Sequence, residues 1–180
     1  QIFGDPGLIL SKFYNPKILK KYKLGIIPHW TEYNIFKNLI TDKNILIINL
    51  QDDFENIINL ILECNFTMST SLHGIIVSHA YNIQCIWIRL PENQCKIKGG
   101  YFKFIDYYSS LEIYDIKPII IDNNFFNKSI STLVSYIIKY PNPRIDILNK
   151  LIYNTLYFCP ISNLTETSKK IINTSLKYTF

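Results

Sequence analysis

The chain is short of the features that mark several large functional classes. It has four cysteines, Cys64, Cys85, Cys95 and Cys159, and no C-x-x-C pair, so the usual ligand spacing of a zinc site is missing and no metal is expected. Cys64 and Cys85 sit in apolar runs and read as core residues of a protein kept in a reducing, cytoplasmic compartment. No apolar stretch reaches the roughly 18–20 residues that a membrane span needs, and no secretory leader is evident. Only two arginines occur, Arg89 and Arg144. The net charge of +5 is modest, and the lysines are scattered except around Lys20, Lys21 and Lys23 and at Lys169 and Lys170. A nucleic-acid binder concentrates basic charge on one face; mild, dispersed basicity suits an anionic small substrate better. The sequence shows no internal repeat. It opens without a starting Met, as expected of a piece of a longer protein.

What is present is a globular composition. Hydrophobic residues make up 48% of the 180 and charged residues 18%, enough to bury a sizeable core. Short apolar runs alternate with amphipathic segments. Strands are predicted at 24–27, 44–50, 66–69, 84–90 and 117–121. Helices are predicted at 31–39 with Thr31 as its cap, after Asp52 or Asp53, at 72–81, 101–110, 126–139 and 144–157, with Pro141-Asn142-Pro143 breaking the last two. This alternation implies βαβ units, a mainly parallel sheet and helices on both of its faces, an α/β domain over residues 1–160 with a polar tail at 161–180. Ligands of such sheets bind beyond the carboxyl ends of the strands. That rule points to Pro28-His29-Trp30, to Gln51-Asp52-Asp53, to the segment 69–74 and to Arg89-Leu90.

The sharpest of these is Met68-Ser69-Thr70-Ser71-Leu72-His73-Gly74. A strand ends, hydroxyl residues follow and a helix begins. The first N–H groups of a helix lack internal partners and attract anions, the hydroxyls of Ser69, Thr70 and Ser71 can add hydrogen bonds, and Gly74 permits close backbone approach. His73 stands in the first turn, where the helix dipole favours a neutral imidazole as acceptor or base. The same pattern also reads as an ordinary Ser/Thr cap with a solvent-exposed histidine. His29 directly follows a strand, as a substrate ligand or second acid–base group, or as a histidine packed on Trp30. Arg89, at a strand's carboxyl end, can pair with a carboxylate or phosphate. In Gly99-Gly100-Tyr101-Phe102-Lys103-Phe104-Ile105-Asp106-Tyr107-Tyr108, Lys103 can neutralise an anion, Asp106 and Tyr107 can hydrogen-bond a sugar, and the aromatic faces can stack on one. The alternative is an aromatic helix packed on the sheet. His79, well inside its helix, reads as structural, and Gly4-Asp5-Pro6-Gly7 reads as a turn.

Taken together, FGDPGLIL, KYKLGIIPHW, INLQDDFENIINLILECNF, STSLHGIIVSHAYNIQCIWIRL and GGYFKFIDYYSSL, in this order over roughly residues 1–110, resemble the polysaccharide pyruvyl transferase family. The resemblance implies a Rossmann-like domain forming the carboxyl-terminal lobe of a two-lobed, glycosyltransferase-like architecture, with the amino-terminal lobe missing from this chain. It implies transfer of pyruvate from phosphoenolpyruvate to two hydroxyls of a sugar or glycan acceptor as a cyclic ketal, with no other cofactor. The family's expected catalytic histidine falls on His73. Where some members carry Arg two residues before it, this chain has Ser71. Two other readings share these residues: a nucleotide-sugar glycosyltransferase of the same architecture, and a catalytically inert carbohydrate-binding relic.

Overall fold

In a strand, successive side chains point to opposite faces, so a strand covered on both sides must be apolar throughout. The Leu24-Gly25-Ile26-Ile27 and Cys85-Ile86-Trp87-Ile88 runs meet that condition, and in the computed structural model both lie within one five-stranded parallel sheet. The structure describes residues 4–158 apart from 96, 98, 99 and 123. The predicted tail at 161–180 and Gly99 lie outside the described residues.

Element order is α1 (Leu10–Phe13), β1 (Tyr22–Ile27), α2 (Tyr33–Leu39), β2 (Ile45–Ile47), α3 (Phe54–Leu62), β3 (Cys64–Ser69), α4 (Leu72–Ala80), β4 (Cys85–Arg89), α5 (Phe102–Ser110), β5 (Ile119–Ile120), α6 (Ile130–Lys139) and α7 (Ile145–Phe158). The sheet order is β2-β1-β3-β4-β5, a Rossmann-like α/β arrangement. Alternation sorts the core. Leu24, Ile26, Met68, Ile86 and Ile88 pack with Phe36 of α2 and Leu133 and Ile137 of α6. Cys85 and Trp87 pack on the opposite face with α4, α5 and α7. Ile27 and Cys64 pack with Ile61 of α3. Both faces are therefore covered, as the pattern predicts.

Several boundaries differ from the sequence expectation, each for a local reason. Strand β2 stops at Ile47 because Asn49 folds back, its side chain accepting from the Gln51 N–H at 3.1 Å. Thr31 does not cap the first predicted helix. A 3-10 turn, Trp30–Glu32, comes first, capped by His29, and α2 begins at Tyr33. Asp53, of the two candidates, caps α3 by accepting from the Glu55 and Asn56 N–H groups. The helix predicted from 126 starts at Ile130, because Ser129 caps it through the Thr132 N–H. The Asp5 turn is a cap as well. Its carboxylate accepts from the Gly7 N–H at 2.7 Å and opens a 3-10 helix, Pro6–Ile9, that runs into α1. Leu8 and Ile9 are buried against Ile75 and Ile76 of α4.

Candidate functional site

The chain passes from β1 through β2 at one edge and returns to β3 on the other side of β1. Strand order therefore reverses between β1 and β3, and a crevice opens at such a reversal, beyond the carboxyl ends. His29 lies two residues beyond β1 and His73 four residues beyond β3, so topology alone aims both at one place.

The two strand ends are tied together under that crevice. The Ser69 hydroxyl, fully buried, lies 2.7 Å from the Ile27 carbonyl and 2.8 Å from the Ser71 carbonyl, to either of which it can donate. Its oxygen accepts from the Ser71 N–H at 3.0 Å. The Thr70 N–H donates to the Ile27 carbonyl at 3.2 Å, and the buried Thr70 hydroxyl accepts from the His29 N–H at 2.8 Å. Helix α4 closes onto this knot because residue 74 has no side chain. A Cβ there would stand 2.4 Å from the Ser69 Oγ and 2.7 Å from Ile27 Cγ2. Farther along, Ser78 bonds both Thr67 of β3 and the Gly74 carbonyl. Ser69 and Gly74 thus lie beneath the crevice and set its shape.

Above the knot is a cavity of about 570 Å³, lined by His29, Trp30, Gln51, Ser71, His73 and Lys103 together with Leu50 and Leu72. Four of the residues singled out from sequence are brought together here: His29, Ser71, His73 and Lys103. His73 is exposed in the first turn of α4. Ser71 occupies the cap position of α4, with extended backbone and no side-chain capping bond. Lys103 arrives from α5, which is pinned to the sheet by Phe104 stacked on Trp87 at 4.3 Å between ring centroids and 6° between planes. The expectation of an aromatic helix packed on the sheet holds for one face of this segment, and the other face is open. Phe104, Tyr107 and Tyr108 pack inward, while Phe102, Lys103 and Asp106 stay exposed.

His29 is half-buried, and its environment selects its form. Its Nδ1 sits 2.8 Å from the Thr31 hydroxyl and accepts from the Thr31 N–H at 3.4 Å. That leaves the ring proton of the neutral form on Nε2. Burial lowers its pKa, the buried Glu32 opposes that shift, and the Lys103 charge adds to it. His29 is therefore a neutral imidazole with one N–H to offer.

Arg89 is not brought to the cavity. Its guanidinium stacks over the Tyr101 ring at 4.7 Å, donates to the Tyr101 hydroxyl, and bonds Cys95 Sγ through Nε at 3.4 Å. It braces the segment that leads into α5. Gln51 was the residue least visible in advance, a strand-end segment being its only signal. Thr70, expected as one of three hydroxyls beside the helix terminus, accepts from the His29 N–H across the strands. Among the described residues no group of three or more His, Cys, Asp or Glu could hold a metal ion, and no helix is long and apolar enough to cross a membrane.

A family model for polysaccharide pyruvyl transferase matches residues 2–91, which include both strand ends and the knot between them. An uncharacterized protein of Acanthamoeba polyphaga mimivirus is 36% identical over 112 residues, covering 59% of this chain and 38% of the relative. The chain thus spans well under half of that relative's length. No solved structure matches. With half of its length under that family model and two of its three histidines at the switch point of the sheet, the chain belongs to the polysaccharide pyruvyl transferase family.

Proposed function

We propose that the chain is the carboxyl-terminal lobe of an enzyme that moves pyruvate from phosphoenolpyruvate to a glycan as a cyclic ketal, and that the cavity over the β1–β3 knot holds the donor. The observation that carries this reading is the composition of that cavity: two histidines, a lysine and a helix amino terminus, with no carboxylate among its lining residues. Such a surface suits a small polyanion.

The chemistry follows from the donor. Its methylene carbon takes a proton, the first sugar hydroxyl forms a bond to C2 and gives up its proton, phosphate leaves with the electron pair of its C–O bond, and the second hydroxyl closes the ring on C2 and loses its own proton. The products are the ketal and inorganic phosphate. His73, exposed in the first turn of α4 and lining the cavity, is the acid. Lys103 and the α4 amino terminus hold the anionic groups. With Nδ1 engaged by Thr31, His29 serves as a hydrogen-bond donor through Nε2 and orients the donor without taking a proton.

The test is phosphate release from phosphoenolpyruvate by the full-length protein with galactose- and mannose-type acceptors. Acceptor-dependent release that disappears in a folded His73→Ala variant is the expected result. Acceptor-dependent release of a nucleoside phosphate from a nucleotide sugar instead, with no phosphate from phosphoenolpyruvate, would replace this reading with a glycosyltransferase.

A further inference from the structure

Beside the donor cavity lies a second one, of about 510 Å³, which shares two lining residues with it, Leu72 and Lys103. Its wall is one face of α5. Phe102, Asp106 and Ser109 follow each other at helical spacing, with Phe102 leaving 77% of its surface exposed. Leu72 and Ile76 of α4 and Asp5 line the cavity as well. Tyr107 lies at the back, its hydroxyl 2.9 Å from His79 Nδ1 and its ring stacked on the imidazole. Burial first, and the nearby Cys85 and Asp5 after it, keep that phenol protonated.

The two cavities differ in charge. The first is lined by histidines and a lysine and by no carboxylate. The second carries two carboxylates, Asp5 and Asp106, and has only the shared Lys103 as a cation. A polyanion is favoured in the first and opposed in the second, so two different substrates sort between them. An exposed aromatic face beside carboxylates and hydroxyls is the surface that a neutral pyranose needs. Its C–H face lies on the ring, and its hydroxyls donate to the carboxylates.

We propose that this second cavity is the acceptor subsite, binding a neutral hexose at the end of a glycan with Phe102 as the stacking platform and Asp106 as the acceptor of its hydroxyl protons. The shared wall at Leu72 and Lys103 is where the sugar's diol meets the donor's C2. This assignment rests on the transferase reading for its meaning, and its test is binding, which needs no turnover.

The full-length protein is titrated with neutral oligosaccharides ending in galactose, glucose or mannose, and binding is read by saturation-transfer NMR and calorimetry. At least one is expected to bind the parent. Phe102→Ala and Asp106→Asn, both at exposed positions, should weaken it tenfold or more while phosphoenolpyruvate binding stays within twofold. His73→Ala should bind the oligosaccharide as the parent does. If no oligosaccharide binds, or if both α5 variants bind it as tightly as the parent, the acceptor assignment is overturned, whatever the enzyme turns over. Oligosaccharide binding that the α5 variants lose, without phosphate release from phosphoenolpyruvate, keeps the sugar site and removes the pyruvyl donor.

Discussion

Replacing Gly74 with alanine sets two effects against each other, and the structure decides between them. Alanine in a helix interior is favoured over glycine by about 1 kcal/mol. Against that, the new Cβ would lie 2.4 Å from the Ser69 Oγ, 2.7 Å from Ile27 Cγ2 and 3.1 Å from Ile27 Cβ, and both partners are fully buried. Overpacking of this kind costs about 1–3 kcal/mol, and here the displaced hydroxyl is also the centre of the bonds joining Ile27 to Ser71, each worth about 1 kcal/mol. The expected net loss is about 2 kcal/mol. In urea the midpoint should fall with an unchanged slope. Turnover should fall further than stability explains, because α4 carries His73 away from Lys103 and His29. The double variant Ser69→Ala/Gly74→Ala removes the closest contact and leaves Ile27, so it should recover part of the loss, with a coupling of about 0.5 kcal/mol or more. A Gly74→Ala protein as stable as the parent, or more stable, would refute the close packing of α4 on the knot and with it the account of how His73 is placed.

Thr70→Val takes the acceptor from the His29 N–H; about 1–3 kcal/mol of stability should be lost in denaturant, with a higher KM for the donor. His79 is buried and its pKa is pushed down to about 3, so the unfolded chain takes up a proton below about pH 6.5 that the folded one refuses. Stability is complete above that pH and is lost as pH falls towards 3. Between pH 6 and 5, above the range in which ordinary carboxylates titrate, the loss should be about 1 kcal/mol, and a His79→Phe variant should lose most of that slope. Burial pushes Cys64 and Cys85 up to about 12, while Cys95 is only partly buried. An alkylating reagent at neutral pH should therefore label Cys95 in the folded protein and reach Cys64 and Cys85 only on unfolding, as peptide mass mapping would show.

Much of the scaffold was legible because both sheet faces are covered. That forces unbroken apolar strands, and Leu24–Ile27 and Cys85–Ile88 announce themselves. The position rule for parallel sheets then found His29 and His73 without any contact information. What the sequence left open was decided by long-range geometry. A serine after a strand reads equally as a ligand donor and as an internal tie, and only the approach of Ile27 and Ser71 makes Ser69 the latter. Arg89 reads as an anion clamp at a strand end, yet the path of the following segment puts Tyr101 over it. The breaks at Asn49 and Ser129 come from side chains folding back on their own backbone, which a periodicity of apolar residues does not register. Asp5 joins the second cavity from nearly a hundred residues away in the chain, a partnership that no local pattern encodes.

The most direct measurement follows the transferred carbon. Phosphoenolpyruvate labelled with carbon-13 at C2 is incubated with the full-length protein and a glycan acceptor, and the product is examined by NMR. The account predicts a labelled quaternary carbon, bearing a methyl group and bonded to two acceptor oxygens, formed by the parent and not by the His73→Ala variant. Label that stays in phosphoenolpyruvate with every acceptor, or a ketal that the variant forms as fast as the parent, would contradict it.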